Sequence, residues 1–184
     1  MKKTWIVVLA VVVLLVIWVM GSYNSLVNLN ETVNSNWAQV DVQLQRRADL
    51  IPNLVATVKG YAAHEEGILN NLADARSKLI GAQGVADKAA ADAQLNSTLS
   101  RLLAIVENYP NLKADVNFRQ LMDELAGTEN RVAVARKDYN DSVQIYNAKI
   151  KTMPTRLWAG MFGFAPREYF QADAGAATVP QVQF

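Results

Sequence analysis

From Thr4 to Met20 the chain reads TWIVVLAVVVLLVIWVM, 17 residues without a charge. As a helix this run rises roughly 25 Å, and Gly21 and Ser22 bring it to the ~20 residues that cross a bilayer. Trp5 and Trp18 stand near its two ends, where indole rings prefer the headgroup layer. A cleaved signal peptide is the competing reading, with Lys2 and Lys3 as its n-region and Val19-Met20-Gly21 as a cleavage site. Against it, the run exceeds the ~7 to 15 residues of an h-region, and helical periodicity continues straight out of it. No cysteine follows, which excludes a lipoprotein anchor. Lys2 and Lys3 precede the span and the next basic residue is Arg46. The positive-inside rule therefore puts the N-terminus in the cytoplasm and everything after Gly21 on the far side.

The rest of the chain, within a total of 184 residues, is long enough for one modest domain. A formal charge of +1 leaves no electrostatic footprint for nucleic acid. The absence of cysteine excludes disulfides, thiolate metal sites and thiol catalysis.

Apolar residues after the span fall at Leu26, Leu29, Val33, Trp37, Val40, Leu44, Ala48, Ile51 and Val55. These spacings of three and four give an 11-residue repeat, which keeps the stripe on one face of a nearly straight helix. The phase passes through Pro52. It reads as a kink in a continuous helix, with the alternative that Asp49 caps a new one. A second helix is expected near Glu65 to Ile80, a turn at Gly81 to Gly84, and a third helix over about Ala86 to Asn108. Pro110 breaks the pattern, Asp115 caps a last helix running to about Met153, and Pro154 ends it.

These lengths imply an all-α fold. An N-terminal transmembrane helix continues into an elongated antiparallel bundle of four helices, two long and two short. The boundaries are 1–22 for the anchor, 23–153 for the bundle, 154–170 for an aromatic membrane-proximal segment and 171–184 for a flexible tail without periodicity. Near the membrane only the two long helices cover each other. The stripe Leu26, Leu29, Val33 and Trp37 is therefore expected to stay open and serve as an oligomer interface.

The stretches QRRADLIPNLV (Gln45 to Val55) and TENR…AR…YN…YN (from Thr128), with GFAPREYF near the end, resemble the LemA family of bacterial membrane proteins. The resemblance covers almost the whole chain. It implies a single N-terminal transmembrane helix and an elongated helical bundle, and hence the inner membrane. It implies no biochemical activity, although a relative that works in magnetosome membranes implies a membrane-organising role.

Matching the ends of the two long helices makes facing residue numbers sum to about 177. Arg47 is then set near Glu129 or Asn130 and Asp49 near Thr128 or Arg131, so that Arg47, Asp49, Glu129 and Arg131 make two opposed ion pairs. Asn130 or Arg131 is expected to donate to the Ala48 carbonyl, which Pro52 deprives of its helical donor. A lipid site at Arg46 and Arg47 is disfavoured, because residue 47 lies ~38 Å along the helix from residue 22. In the membrane-proximal segment, Leu157, Trp158, Met161, Phe162 and Phe164 either anchor at the interface among basic residues or fold over the open stem.

Catalytic and metal signals are weak. His64-Glu65-Glu66 lacks the second histidine of H-E-x-x-H, sequence-adjacent carboxylates on a helix diverge, and no phosphate loop or GxSxG turn occurs. No cofactor and no enzyme activity are expected. The first function reading is a scaffold on the lipid bilayer that self-associates and organises membrane partners. The second is a monomeric adaptor presenting its helices and tail to another membrane protein such as a peptidase.

Overall fold

The computed structural model describes residues 2–62 and 64–171; the expected tail from residue 172 onward lies outside them. Helix α1 spans Lys2–Tyr61, 60 residues and roughly 90 Å, with Pro52 inside it. Its apolar first turns are exposed, and it passes Gly21 and Ser22 without a break. Helix α2 (Glu66–Gly81) turns back along α1, and α3 (Gly84–Val106) climbs again beside α2. A single turn, α4 (Pro110–Ala114), starts with Pro110 at its first position, where the missing N–H leaves no bond unmade. Helix α5 (Val116–Lys151) then descends the length of α1. Asp115 caps it by accepting from Phe118 N at 2.9 Å. No strand occurs among the described residues.

Helices α1 and α5 are antiparallel in one constant register. Ser22 meets Thr155 just past α5, Trp37 meets Tyr139, Arg47 meets Glu129, and Tyr61 meets Asp115. Both helices bury a seven-residue repeat, where an 11-residue one was expected for α1. On α1 it runs Leu26, Val33, Val40, Arg47, Leu54, with Leu44, Ile51 and Val58 on the adjacent phase. On α5 it runs Phe118, Leu125, Val132, Tyr139, Tyr146. Leu29 and Val55 mimicked the longer period because they flank the seam half-buried.

The α2–α3 hairpin hangs from the distal tip down to the level of Asp41, where Lys88 reaches that carboxylate at 2.6 Å. Below it, from residue 23 to about 40, α1 has only α5 as a helical neighbour. The stripe there is nevertheless closed. Leu26 and Val33 are buried, and Leu29 and Trp37 are packed against the core. Residues after Pro154 supply the missing cover, so Leu26, Leu29, Val33 and Trp37 do not form the open face that the sequence suggested.

Candidate functional site

Two places concentrate chemistry. The first is a charge cluster enclosed at mid-rod. Arg47 occupies a seam position of α1, in phase with Val40 and Leu54. Its Nη1 lies 3.0 Å from Oδ1 of Asp92 and 2.5 Å from Oε2 of Glu129, while Nη2 donates to Asn96 Oδ1. Arg136 of α5 donates to the other oxygen of Asp92. One carboxylate from α3, only 1% exposed, thus joins an arginine from each long helix.

Burial lowers the pKa of Arg47 against the opposing charge and hydrogen bond of Glu129. Burial and the charge of Arg47 lower that of Arg136 to about 10. Both arginines stay ionised near neutral pH, so their charge must be balanced inside the bundle. Asp92, sealed from solvent, ties α3 to both long helices.

The other expected ion pair is absent. Asp49 points outward and accepts from Gln45 at 3.0 Å, and Arg131 lies 3.6 Å from Glu124 instead. The Ala48 carbonyl is served by Arg76 Nε at 2.9 Å, from α2, and not by Asn130 or Arg131. Asp92, Asn96 and Arg136 were missed. Their signal lay in the periodicity: Asp92 continues the stripe Leu95, Leu99, Leu102, Val106 one step back, and Arg136 is in phase with Val143 and Ile150.

The second place is the stem. After α5, two short 3-10 turns (Thr155–Leu157 and Gly160–Phe162) sit at the foot of the rod. Gly163, with φ of 79°, takes a left-handed conformation that a side chain would disfavour, and redirects the chain upward. Residues 164–170 then lie as an extended strap between α1 and α5. Asn147 donates to Arg167 O and accepts from Arg167 N, both at 2.8 Å. Asn140 does the same for Phe170, at 3.0 and 2.8 Å.

The match is geometric. Seven residues of helix advance about 10.5 Å and three of extended chain about 10 Å, so the repeated asparagines meet the strap at every third residue. Phe170 tilts against Trp37 and lies under Arg136, whose guanidinium carbon is 4.5 Å from the ring centroid. Arg167 reaches Asn30 and Asn34 on α1, and Phe164 meets Tyr23 edge-on.

The membrane-proximal residues divide between two faces. Trp158 is buried and Phe164 half-buried against the stem, whereas Leu157, Met161 and Phe162 point outward together with Met153. Ser22 Oγ and Thr155 Oγ1, 3.5 Å apart, tie this foot to the end of the apolar run. Among the described residues no group of His, Asp and Glu is arranged to hold a metal ion.

The LemA family model matches residues 36–184. Magnetosome protein MamQ 2 of Paramagnetospirillum magneticum is 31% identical over 183 residues, covering 85% of this chain and 67% of that protein. Magnetosome protein MamQ of Magnetospirillum gryphiswaldense is 30% identical over 190 residues, covering 87% and 70%. Protein LemA of Metamycoplasma hominis is 28% identical over 147 residues, covering 78% and 66%.

Proposed function

The chain belongs to the LemA family, and from that premise we propose that it is a non-enzymatic, membrane-anchored scaffold that self-associates and organises membrane or membrane-protein partners. One observation carries this reading: α1 runs unbroken from an exposed apolar segment into the bundle core. A partner held by the bundle is thereby held at a fixed height above the bilayer. In this reading the membrane is the bacterial inner membrane, the N-terminus is cytoplasmic and the bundle projects outward, as the lysines before the span favour. The non-enzymatic part is favoured by the relatives being magnetosome and LemA proteins.

Self-association would use the groove between α1 and α5 rather than the covered stem stripe. This groove of about 360 Å³ is lined by Asn36, Gln39, Gln43, Asn130, Val134 and Asp138, among others. Val134 is exposed there. A second copy offering an apolar side chain would cover it.

The mass of the full-length protein extracted in mild detergent tests the reading. A discrete particle of several copies, reduced in size by Val134→Glu with helicity unchanged, supports the scaffold. A monomer at every concentration favours the adaptor. Orientation is tested separately with Ser100→Cys, since a side chain is strained at Gly84, where φ is 80°. Labelling by an impermeant thiol reagent in intact spheroplasts supports the outward bundle, and labelling only after lysis refutes it.

A further inference from the structure

We propose that the outward side of residues 153–162 is a second membrane contact: a foot that inserts into the interface of the leaflet beside the span and selects anionic phospholipid. The proposal rests on reading Thr4–Ser22 as a bilayer span and adds a partner of stated chemistry to it.

Three observations converge. The first is height. A span beginning after Lys3 reaches the far edge of a hydrocarbon layer ~30 Å thick near Ser22–Tyr23. Ser22 touches Thr155 and Tyr23 touches Phe162, with ring centroids 5.4 Å apart. The turns therefore lie where acyl chains give way to headgroups.

The second is a division of side chains that core packing alone does not require. Thr155, Trp158 and Ala159 are buried against the stem. Met153, Leu157, Met161 and Phe162 are 67%, 67%, 85% and 53% exposed, on a segment of only ten residues. Four exposed large apolar side chains within ten residues are a concentration of apolar surface that soluble proteins avoid. Here the patch adjoins a span that is itself exposed to lipid.

The third is charge. From Ser142 to Pro166 the sequence has no acidic residue, while Lys149, Lys151 and Arg156 lie in or just before the segment, with Lys149 beside Met153 and Thr155. A cationic fringe around inserted apolar and aromatic side chains is the pattern of an interfacial anchor, with the basic groups reaching lipid phosphates. Each such charge near the surface is drawn to an anionic leaflet. The foot adds a second point of support at the base of a single helix, so the lipid interface resists tilt and rotation of the rod.

The test uses the full-length, naturally cysteine-free protein in vesicles, with one nitroxide at a time introduced through Met161→Cys, Leu157→Cys, Val12→Cys or, at an exposed site at the distal tip, Val116→Cys. Accessibility is read with oxygen, which concentrates in lipid, and with a water-soluble nickel chelate. Positions 157 and 161 are expected to favour oxygen at a depth near the acyl boundary, position 12 more strongly, and position 116 to favour nickel. Replacing part of the phosphatidylcholine with phosphatidylglycerol should move 161 deeper, and Lys149→Gln/Lys151→Gln/Arg156→Gln should abolish that shift. Nickel access at 157 and 161 equal to that at 116, with 12 still in lipid, overturns the foot alone. Shielding of 157 and 161 from both probes also overturns it, since protein then covers the patch. Equal depth in both lipids overturns the anionic selectivity, and nickel access at 12 overturns the span on which the proposal rests.

Discussion

Arg76 donates from Nε to the carbonyl oxygen of Ala48 at 2.9 Å, and that carbonyl is the one Pro52 leaves without its helical donor. A proline is thus accommodated in mid-helix by a side chain from the next helix, which ties α2 to α1 at a fixed level. Arg76→Met should destabilise by about 1 to 3 kcal/mol, the usual range for an enclosed carbonyl left unpaired. Pro52→Ala restores the backbone donor, so the Arg76→Met cost should largely disappear in that background. Chemical denaturation of the four proteins in the cycle measures the coupling, and additive effects would dissociate the two residues.

Asp92 is the centre of the mid-rod cluster, and its loss leaves two enclosed guanidinium groups without their shared carboxylate. Asp92→Ala should cost about 3 to 5 kcal/mol, as for other enclosed pairs that lose one partner. Glu129→Ala should cost about 1 kcal/mol or less, because its side chain is 40% exposed and water can replace it. A midpoint shift for Glu129→Ala as large as that for Asp92→Ala would contradict the assignment of Asp92 as the core of the cluster.

The Asp115 cap predicts a pH dependence. Its pKa is lowered from 3.8 by the Phe118 backbone N–H and by Tyr61, whose hydroxyl donates at 2.9 Å. A depressed folded-state value means that this contribution is present above the unfolded pKa and is lost as pH falls through the folded one. Wild type should therefore exceed Asp115→Ala in thermal midpoint at pH 7, with the difference shrinking below about pH 4. A difference unchanged between pH 7 and pH 3 would show that the carboxylate charge is not involved.

Much of this architecture was legible in the sequence, and the failures have specific causes. The helices and their antiparallel order follow from periodicity and from Asp115, Pro110 and Pro154, which act locally. The seam period was misread because Arg47 occupies one of its positions: a charge there interrupted the apolar series, while Leu29 and Val55 beside it suggested another phase. Asp92 was passed over for the same reason. The Arg76 bond was beyond reach, since nothing near Pro52 in sequence marks a donor on a different helix. The strap left no periodic trace of its own because it is bound largely through its backbone, although Asn140 and Asn147, seven apart, were the imprint of it on α5.

Those asparagines give a fourth prediction. Asn147→Ala should remove hydrogen-exchange protection from the Arg167 amide, and Asn140→Ala from that of Phe170, each by roughly one to two orders of magnitude if a bond worth ~1 to 3 kcal/mol is lost. Removing residues 164–184 should expose Trp37, shift its emission to the red and increase self-association through the uncovered stem. Protection of both amides unchanged by the substitutions would mean that the strap is held elsewhere.

The height of both the bundle and the foot above the bilayer follows from α1 being one rigid helix from the span into the bundle. Spin labels introduced through Val12→Cys and Val42→Cys, diluted with unlabelled full-length protein in nanodiscs, measure this directly by double electron–electron resonance. A narrow distribution near 45 Å is expected, the rise of thirty helical residues. A broad distribution, or a mean well below that value, would place a hinge at Gly21–Ser22 and contradict the rod.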